Sequence, residues 1–200
     1  MENDTLILTV NNRLARELRR QHDHRQAAAG LRVWPSLPVL PLDAWLRERH
    51  AELVDLGETD RVLLTPHQER LLWEQSVRED GQGLMQPAAA ARTAQDAWQR
   101  LHQWRLDLDT LAHWPDEETA RFLQWARRFE TACEAEGLLS QALLPDRVAQ
   151  AIGAAPLSLP ARIELRGFDS LNPQQAHLIA ALKAAGCEVV EEVTPAEPGR

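Results

Sequence analysis

Arg13, Arg16 and Arg20 stand at i, i+3 and i+7 in a stretch that reads as one helix, with Arg19 and Arg25 close by. That spacing sets three guanidiniums along one helix face, and a row of guanidiniums is suited to holding phosphate or carboxylate oxygens. Asn11 and Asn12 stand just before them and can cap the helix. Thr5–Val10, ahead of the asparagines, is a short continuous apolar run, as expected of a central parallel strand covered on both faces. A helix that starts at the carboxyl end of such a strand points its free amides out of the usual ligand edge of a parallel sheet. The competing reading is an Arg-rich face that is merely solvated, with Leu14 and Leu18 turned inward.

Other chemistry is scarce. His22-Asp23-His24 lacks a third ligand at a defined spacing, so no metal site is expected. His67, His102 and His113 have no partner that sequence can identify, and no Gly-x-Ser-x-Gly, His-Glu-x-x-His or paired-carboxylate arrangement is present. Lys183 is the lone lysine. A P-loop needs a lysine at the start of the helix after its first strand, and Lys183 lies late in another helix. A nuclease of the Asp/Glu-x-Lys type needs an acid two positions before its lysine, where this chain has Ala181. Neither site can be assembled conventionally, and no enzyme activity or cofactor is expected of this chain. The chain holds 7 tryptophans. Interleaved with arginine they could stack on bases of a single strand, but Trp98, Trp104 and Trp125 fall on or beside apolar stripes and read as core, leaving Trp34 as the exposed candidate.

At 44% hydrophobic and 26% charged residues, the composition is that of a globular domain. No apolar run approaches a membrane span, and MENDTLILTV does not read as a signal peptide. Cys133 and Cys187 stand apart without zinc spacing, which suits a reducing cytoplasm. The net charge of −8 argues against wholesale nucleic-acid binding. Residues 1–50, however, carry eight arginines against six acids, a net of +2, while the rest carry 14 basic and 24 acidic residues, a net of −10.

The elements follow in order. A helix over about Arg13–Ala29 ends at Gly30, and Leu31–Leu42 is extended or a short interrupted strand. Asp43 is read as the cap of the next helix, closed by Gly57. From Leu64 the pattern turns helical. Thr65-Pro66-His67-Gln68 is a capping box, Gly81–Pro87 a loop and Ala88–Leu106 an alanine-rich helix. Pro115 opens a helix striped by Phe122, Trp125, Ala126, Phe129, Ala132 and Cys133. Ser140–Ile152 holds a last helix or two short ones, and Ala154–Pro160 is a linker. Then Ala161–Val193 reads strand, loop, helix, strand. Ile163 and Leu165 alternate with Arg162, Glu164 and Arg166; Asn172-Pro173 opens the helix and Gly186 stops it. This is a βαβ unit with parallel strands.

Within that unit "IELRGFDSLNPQQ" resembles the Walker B region of AddB-type helicase–nuclease subunits. The chain from Leu6 to about Val193, "TPHQERLLWEQ" included, resembles the N-terminal part of bacterial probable DNA repair proteins. Those are long chains with an inactivated superfamily I helicase region and a C-terminal PD-(D/E)XK nuclease. The resemblance implies an α/β fold: a partial RecA-like (P-loop NTPase-like) parallel sheet with a large helical insertion. Its pieces are a first core part (1–63), an inserted helical subdomain (64–153), a second core part (154–193) and a linker end at 194–200. Where a helicase holds its metal through an Asp, this chain has Arg166, whose guanidinium repels a cation and could pair with a carboxylate or a phosphate. Asp169 is better read as capping its turn or pairing with an arginine. Asn11, Asn12, Arg166 and Asp169 thus mark a degenerate nucleotide site.

The function implied is a catalytically inactive helicase-like module of a DNA repair or recombination nuclease. Its expected partners are DNA, single-stranded or at a duplex end, and a helicase or nuclease subunit or the C-terminal remainder of its own chain. Arg13, Arg16, Arg20 and Arg166 are the candidate DNA contacts. The alternative is a protein-interaction scaffold that binds no nucleic acid, favoured by the acidic helical block.

Overall fold

The computed structural model describes residues 5–79, 86–113 and 116–191. The expected loop at Gly81–Pro87, the helix start at Pro115 and the tail Pro195–Arg200 therefore lie wholly or mostly outside the described residues. The chain is mixed α/β. Strand β1 (Thr5–Thr9) runs into α1 (Asn12–Ala28), followed by β2 (Val39–Pro41) and α2 (Leu42–Asp55). A two-residue strand β3 (Val62–Leu63) leads to α3 (Pro66–Arg78), α4 (Pro87–Gln103), the one-turn α5 (Leu108–Leu111) and α6 (Glu117–Ala135). Then come β4 (Leu138–Leu139), a 3-10 turn (Gln141–Leu143), α7 (Leu144–Ala151), β5 (Arg162–Arg166), α8 (Pro173–Ala184) and β6 (Glu188–Glu191).

The chain divides into two compact units, one from Met1–Leu53, Val148–Leu171 and His177–Arg200, the other from Val54–Arg147 and Asn172–Ala176. The first is built on a four-stranded sheet in the order β2-β1-β5-β6, parallel throughout. Strands β1, β5 and β6 lie side by side in it. Thr9 pairs with Arg166 at one end of the β1–β5 ladder and Thr5 with Arg162 at the other. On β5, Ile163 and Leu165 are buried while Arg162, Glu164 and Arg166 are half-exposed, the alternation read from the sequence. Leu8, Ile163, Leu165, Trp45, Leu46, Leu178 and Leu182 are all buried in this unit.

Caps place the helices. The Asn11 side chain accepts from the Leu14 amide, and Asn172 and Gln175 exchange two side chain–backbone bonds at the start of α8. Asp43 does not cap α2. The helix already begins at Leu42, and Asp43 sits in its first turn, paired with Arg47 at 2.6 Å where a carboxylate favours the helix dipole.

The second unit is helical, with α3 opened by the expected Thr65–Gln68 capping box. Its core is aromatic. Trp73 stacks on Phe129 with ring centroids 4.2 Å apart, and Trp98 meets both edge-on. Two tiny strands unforeseen in the sequence, β3 and β4, pair in parallel, Val62 with Leu138 and Leu63 with Leu139. Each is two residues long, too short to show a period.

Inside this unit lies a buried carboxylate, Glu69. Its Oε1 accepts from the Ser140 hydroxyl at 2.8 Å and its Oε2 from the Gln141 amide at 3.0 Å. The Ser140 oxygen in turn accepts from Trp98 Nε1 at 3.1 Å and from the Ala142 amide at 3.2 Å. One acid thus ties α3 to the corner between β4 and α7, and each of its oxygens has a donor, as a buried polar group requires.

Candidate functional site

From β1 the chain moves outward to β2 on one side; from β5 it moves outward to β6 on the other. The winding therefore reverses between β1 and β5. Right-handed crossovers then set α1 and α8 on opposite faces, and the crevice of an open parallel sheet lies at the carboxyl ends of the strands at such a reversal. Asn11, Asn12, Arg166 and Asp169 all fall at those carboxyl ends.

The crevice is filled by the chain itself. The Val10 amide extends the ladder by donating to the Arg166 carbonyl at 3.2 Å. The buried Thr9 hydroxyl donates to the Asn11 carbonyl at 2.9 Å, and Asn11 spends its side-chain oxygen on the Leu14 amide. Gly167 turns away from β5 with φ +77, a left-handed conformation that suits glycine. A Cβ there would lie 2.5 Å from Leu14 Cδ2 and 3.3 Å from Val10 Cγ1. Aliphatic carbons thus crowd the strand-to-helix turn where a nucleotide-binding protein would run a glycine-rich loop.

The arginines differ from one another. Arg13 and Arg16 are exposed at the start of α1, and Arg16 makes no ion pair or hydrogen bond among the described residues. Arg20 is exposed but engaged. Its Nε and Nη2 donate to the two oxygens of Glu17 at 3.0 and 2.8 Å, and Gln21 adds a third bond at 2.8 Å. With Arg13 adding its field, these bonds hold the Glu17 carboxyl down to about 2. Arg19 turns the other way and donates to the Val39 carbonyl of β2; Arg25 donates to the Gln21 carbonyl at 3.3 Å. The i, i+3, i+7 row is present, but Glu17 engages one of its three members.

Arg166 pairs with Glu164 at 2.9 Å, two residues back on the same face of β5. That bond and the nearby Arg162 hold the Glu164 carboxyl below the usual carboxylate range. Asp169 departs from expectation. It is exposed, and among the described residues it neither caps nor pairs; Asn172 does the capping. Asn12 is the first residue of α1 and exposed.

The other candidates resolve into structural roles. His22 reaches the Pro35 carbonyl at 3.2 Å, and Asp23 accepts from Trp34 Nε1 at 2.8 Å. The pseudo-metal tripeptide thus pins the segment after α1, and Trp34 is half-buried rather than free. Among the described tryptophans Trp104 is the exposed one, 63% accessible. It follows the last turn of α4, beside a groove of about 630 Å³ lined by Ala94, Arg100, Phe122 and Trp125 among others. His102 lies edge-on to Trp98, its pKa lowered by burial against the raising effect of the Asp146 charge. Burial pushes the Cys133 thiol up to about 12, so it is no nucleophile. Among the described residues, no group of three or more His, Cys, Asp or Glu could hold a metal ion, and no helix is long and apolar enough to cross a membrane. Sequence reasoning missed Glu17 and Glu69. The signal for Glu17 was its spacing, four after Arg13 and three before Arg20. Compared with known proteins, the chain matches no family model and no curated sequence.

Proposed function

We propose that this chain is a catalytically silent, RecA-like helicase module of a DNA repair or recombination nuclease, and that the start of α1 contacts the phosphate backbone of DNA. What carries the reading is the reversal point between β1 and β5. It is the place where this sheet type takes ligands, it is packed with Val10 and Leu14 against Gly167, and Arg13 and Arg16 stand exposed beside it. A nucleotide would have to displace those side chains and would find no lysine. A phosphate backbone needs only the rim. In this role the module works in the cytoplasm without cofactor, beside a helicase or nuclease subunit or the remainder of a longer chain.

The test is salt dependence. Removing one phosphate-binding cation flattens the slope of log affinity against log salt by about 0.7 for a single strand. Arg13→Ala with Arg16→Ala should flatten it by roughly 1.4 and weaken all sequences alike. An unchanged slope in a folded double variant makes the helix a solvated face. The exposed Trp104 and its groove favour the second reading, a protein-interaction scaffold; absence of any binding to DNA would favour it further.

A further inference from the structure

Glu17 sits in the middle of the basic face of α1. It follows Arg13 by one turn and precedes Arg20 by one, and both of its oxygens lie on the Arg20 guanidinium. A bidentate carboxylate on a guanidinium reproduces the fork that a phosphate would make. Beyond it, on the second half of α1, Arg20, Gln21, His24 and Arg25 line a shallow depression of about 410 Å³. Arg20 is therefore the link between the rim at Arg13 and Arg16 and a second set of basic groups about 10 Å further along the helix. In the structure that link is closed by an internal anion.

Building on the DNA contact proposed above, we infer that Glu17 is an internal phosphate mimic. It occupies the seat at Arg20 that a backbone phosphate would take, and a bound strand must displace it before it can continue from Arg13 and Arg16 to Arg20, His24 and Arg25. No covalent step is involved; one anion replaces another on the same guanidinium. The exchange is feasible because the pair is open to solvent, where an ion pair of this kind is easily given up. Glu17 thereby holds affinity below what the arginine row alone would give, and it makes the contact more demanding of phosphates spaced to reach both seats.

The experiment measures binding of a labelled oligothymidylate at several salt concentrations to the wild type, Glu17→Gln, Glu17→Gln with Arg20→Ala, Arg13→Ala with Arg16→Ala, and Glu117→Gln. Glu117 pairs with Arg121 on α6 at 2.6 Å, so its amide variant removes the same charge and frees the same kind of pair elsewhere. Glu17→Gln should steepen the salt slope by about 0.7, one more phosphate neutralised, and tighten binding at low salt by up to about five-fold. Arg20→Ala should cancel that gain, and Glu117→Gln should leave the slope alone. Equal behaviour of Glu17→Gln and Glu117→Gln, or a gain that survives loss of Arg20, overturns the inference. If Arg13→Ala with Arg16→Ala weakens binding while Glu17→Gln changes nothing, the DNA contact stands and only the mimic falls. If none of the proteins binds, both fall.

Discussion

In the helical unit a carboxylate, Glu69, lies inside the core with one oxygen on Ser140 and the other on the Gln141 amide. In the sheet unit the corresponding actor, Glu17, stands in solvent with both oxygens on Arg20. The first acid is fixed by burial: losing a partner would leave a charge or a donor stranded in the interior, where Ser140 and through it Trp98 are tied to it. The second gives up little when it lets go. Polar groups inside the helical unit therefore hold shape, and those at the edge of the sheet unit are free to exchange partners. This contrast is why we place the binding surface on α1 and not in the tryptophan-rich unit, whose rings are largely consumed by packing.

Three variants probe the contrast. The largest effect is expected from Trp98→Ala, which removes a fully buried ring packed edge-on against the stacked pair of Trp73 and Phe129, together with the donor to Ser140. It should cost about 3–5 kcal/mol in chemical denaturation. A cost near that of a surface change would mean the aromatic core is not what holds this unit. Gly167→Ala should come next, at about 1–2 kcal/mol, because a Cβ meets a left-handed backbone and the tip of Leu14 at once. Adding Leu14→Ala should remove the crowding and leave the backbone strain, so the double variant separates the two. A neutral Gly167→Ala would break the claim that the strand-to-helix turn is tightly filled.

Much of this layout was legible in advance. Strand β5 announced itself by alternation, and the α3 cap by Thr65 and Gln68, because both are local patterns of a few consecutive residues. The parallel pairing of β5 and β6 followed from the strand–helix–strand pattern of Ala161–Val193, whereas the place of β2 beside β1 did not, since Leu31–Leu42 read only as extended or a short interrupted strand. Other features depend on partners far away in sequence. Glu69 meets Ser140 across 71 residues, so nothing near Glu69 marks it as buried. Trp104 continues the spacing of Ala94, Trp98 and Leu101, yet it is the C-cap, one residue past the last helical one, and stands exposed. Asp169 read by type as capping its turn or pairing with an arginine, and among the described residues it does neither, while the helix cap at Asn172 was legible from Asn172-Pro173. Among the arginines the row was readable from spacing. What spacing did not tell is which of them Glu17 would hold.

The smallest effect sharpens the comparison by pH. Burial pushes the Glu69 carboxyl above its usual range, against the hydrogen bonds that lower it. Folding therefore favours its protonated form. That contribution is fully present below the ordinary value of 4.5 and is lost as the pH rises through the shifted one. Relative to Glu69→Gln, the wild type should lose stability as the pH climbs from 4.5 toward neutrality. Glu17, shifted downward, acts in the opposite sense and at lower pH, since its contribution is present above 4.5 and fades as the pH falls toward about 2. Unfolding measured across that range for wild type and Glu69→Gln gives the sign directly; a difference that does not change with pH would mean Glu69 titrates alike in the folded and unfolded chain.

The two margins of the four-stranded sheet bear on how the protein behaves in a crowd of its own copies. A parallel sheet that ends in an unpaired strand exposes a row of amides and carbonyls able to recruit another chain. Here β2 is three residues long and ends in Pro41, which has no amide to offer, and Arg19 covers its Val39 carbonyl. At the opposite margin the described residues of β6 run from Glu188 to Glu191, two acids paired with Arg162 and Lys183, and charged side chains on an edge oppose pairing with another strand. Both margins are thus guarded against templated growth, one by a missing donor and the other by charged side chains, so that concentrating the protein need not drive it toward edge-to-edge aggregation.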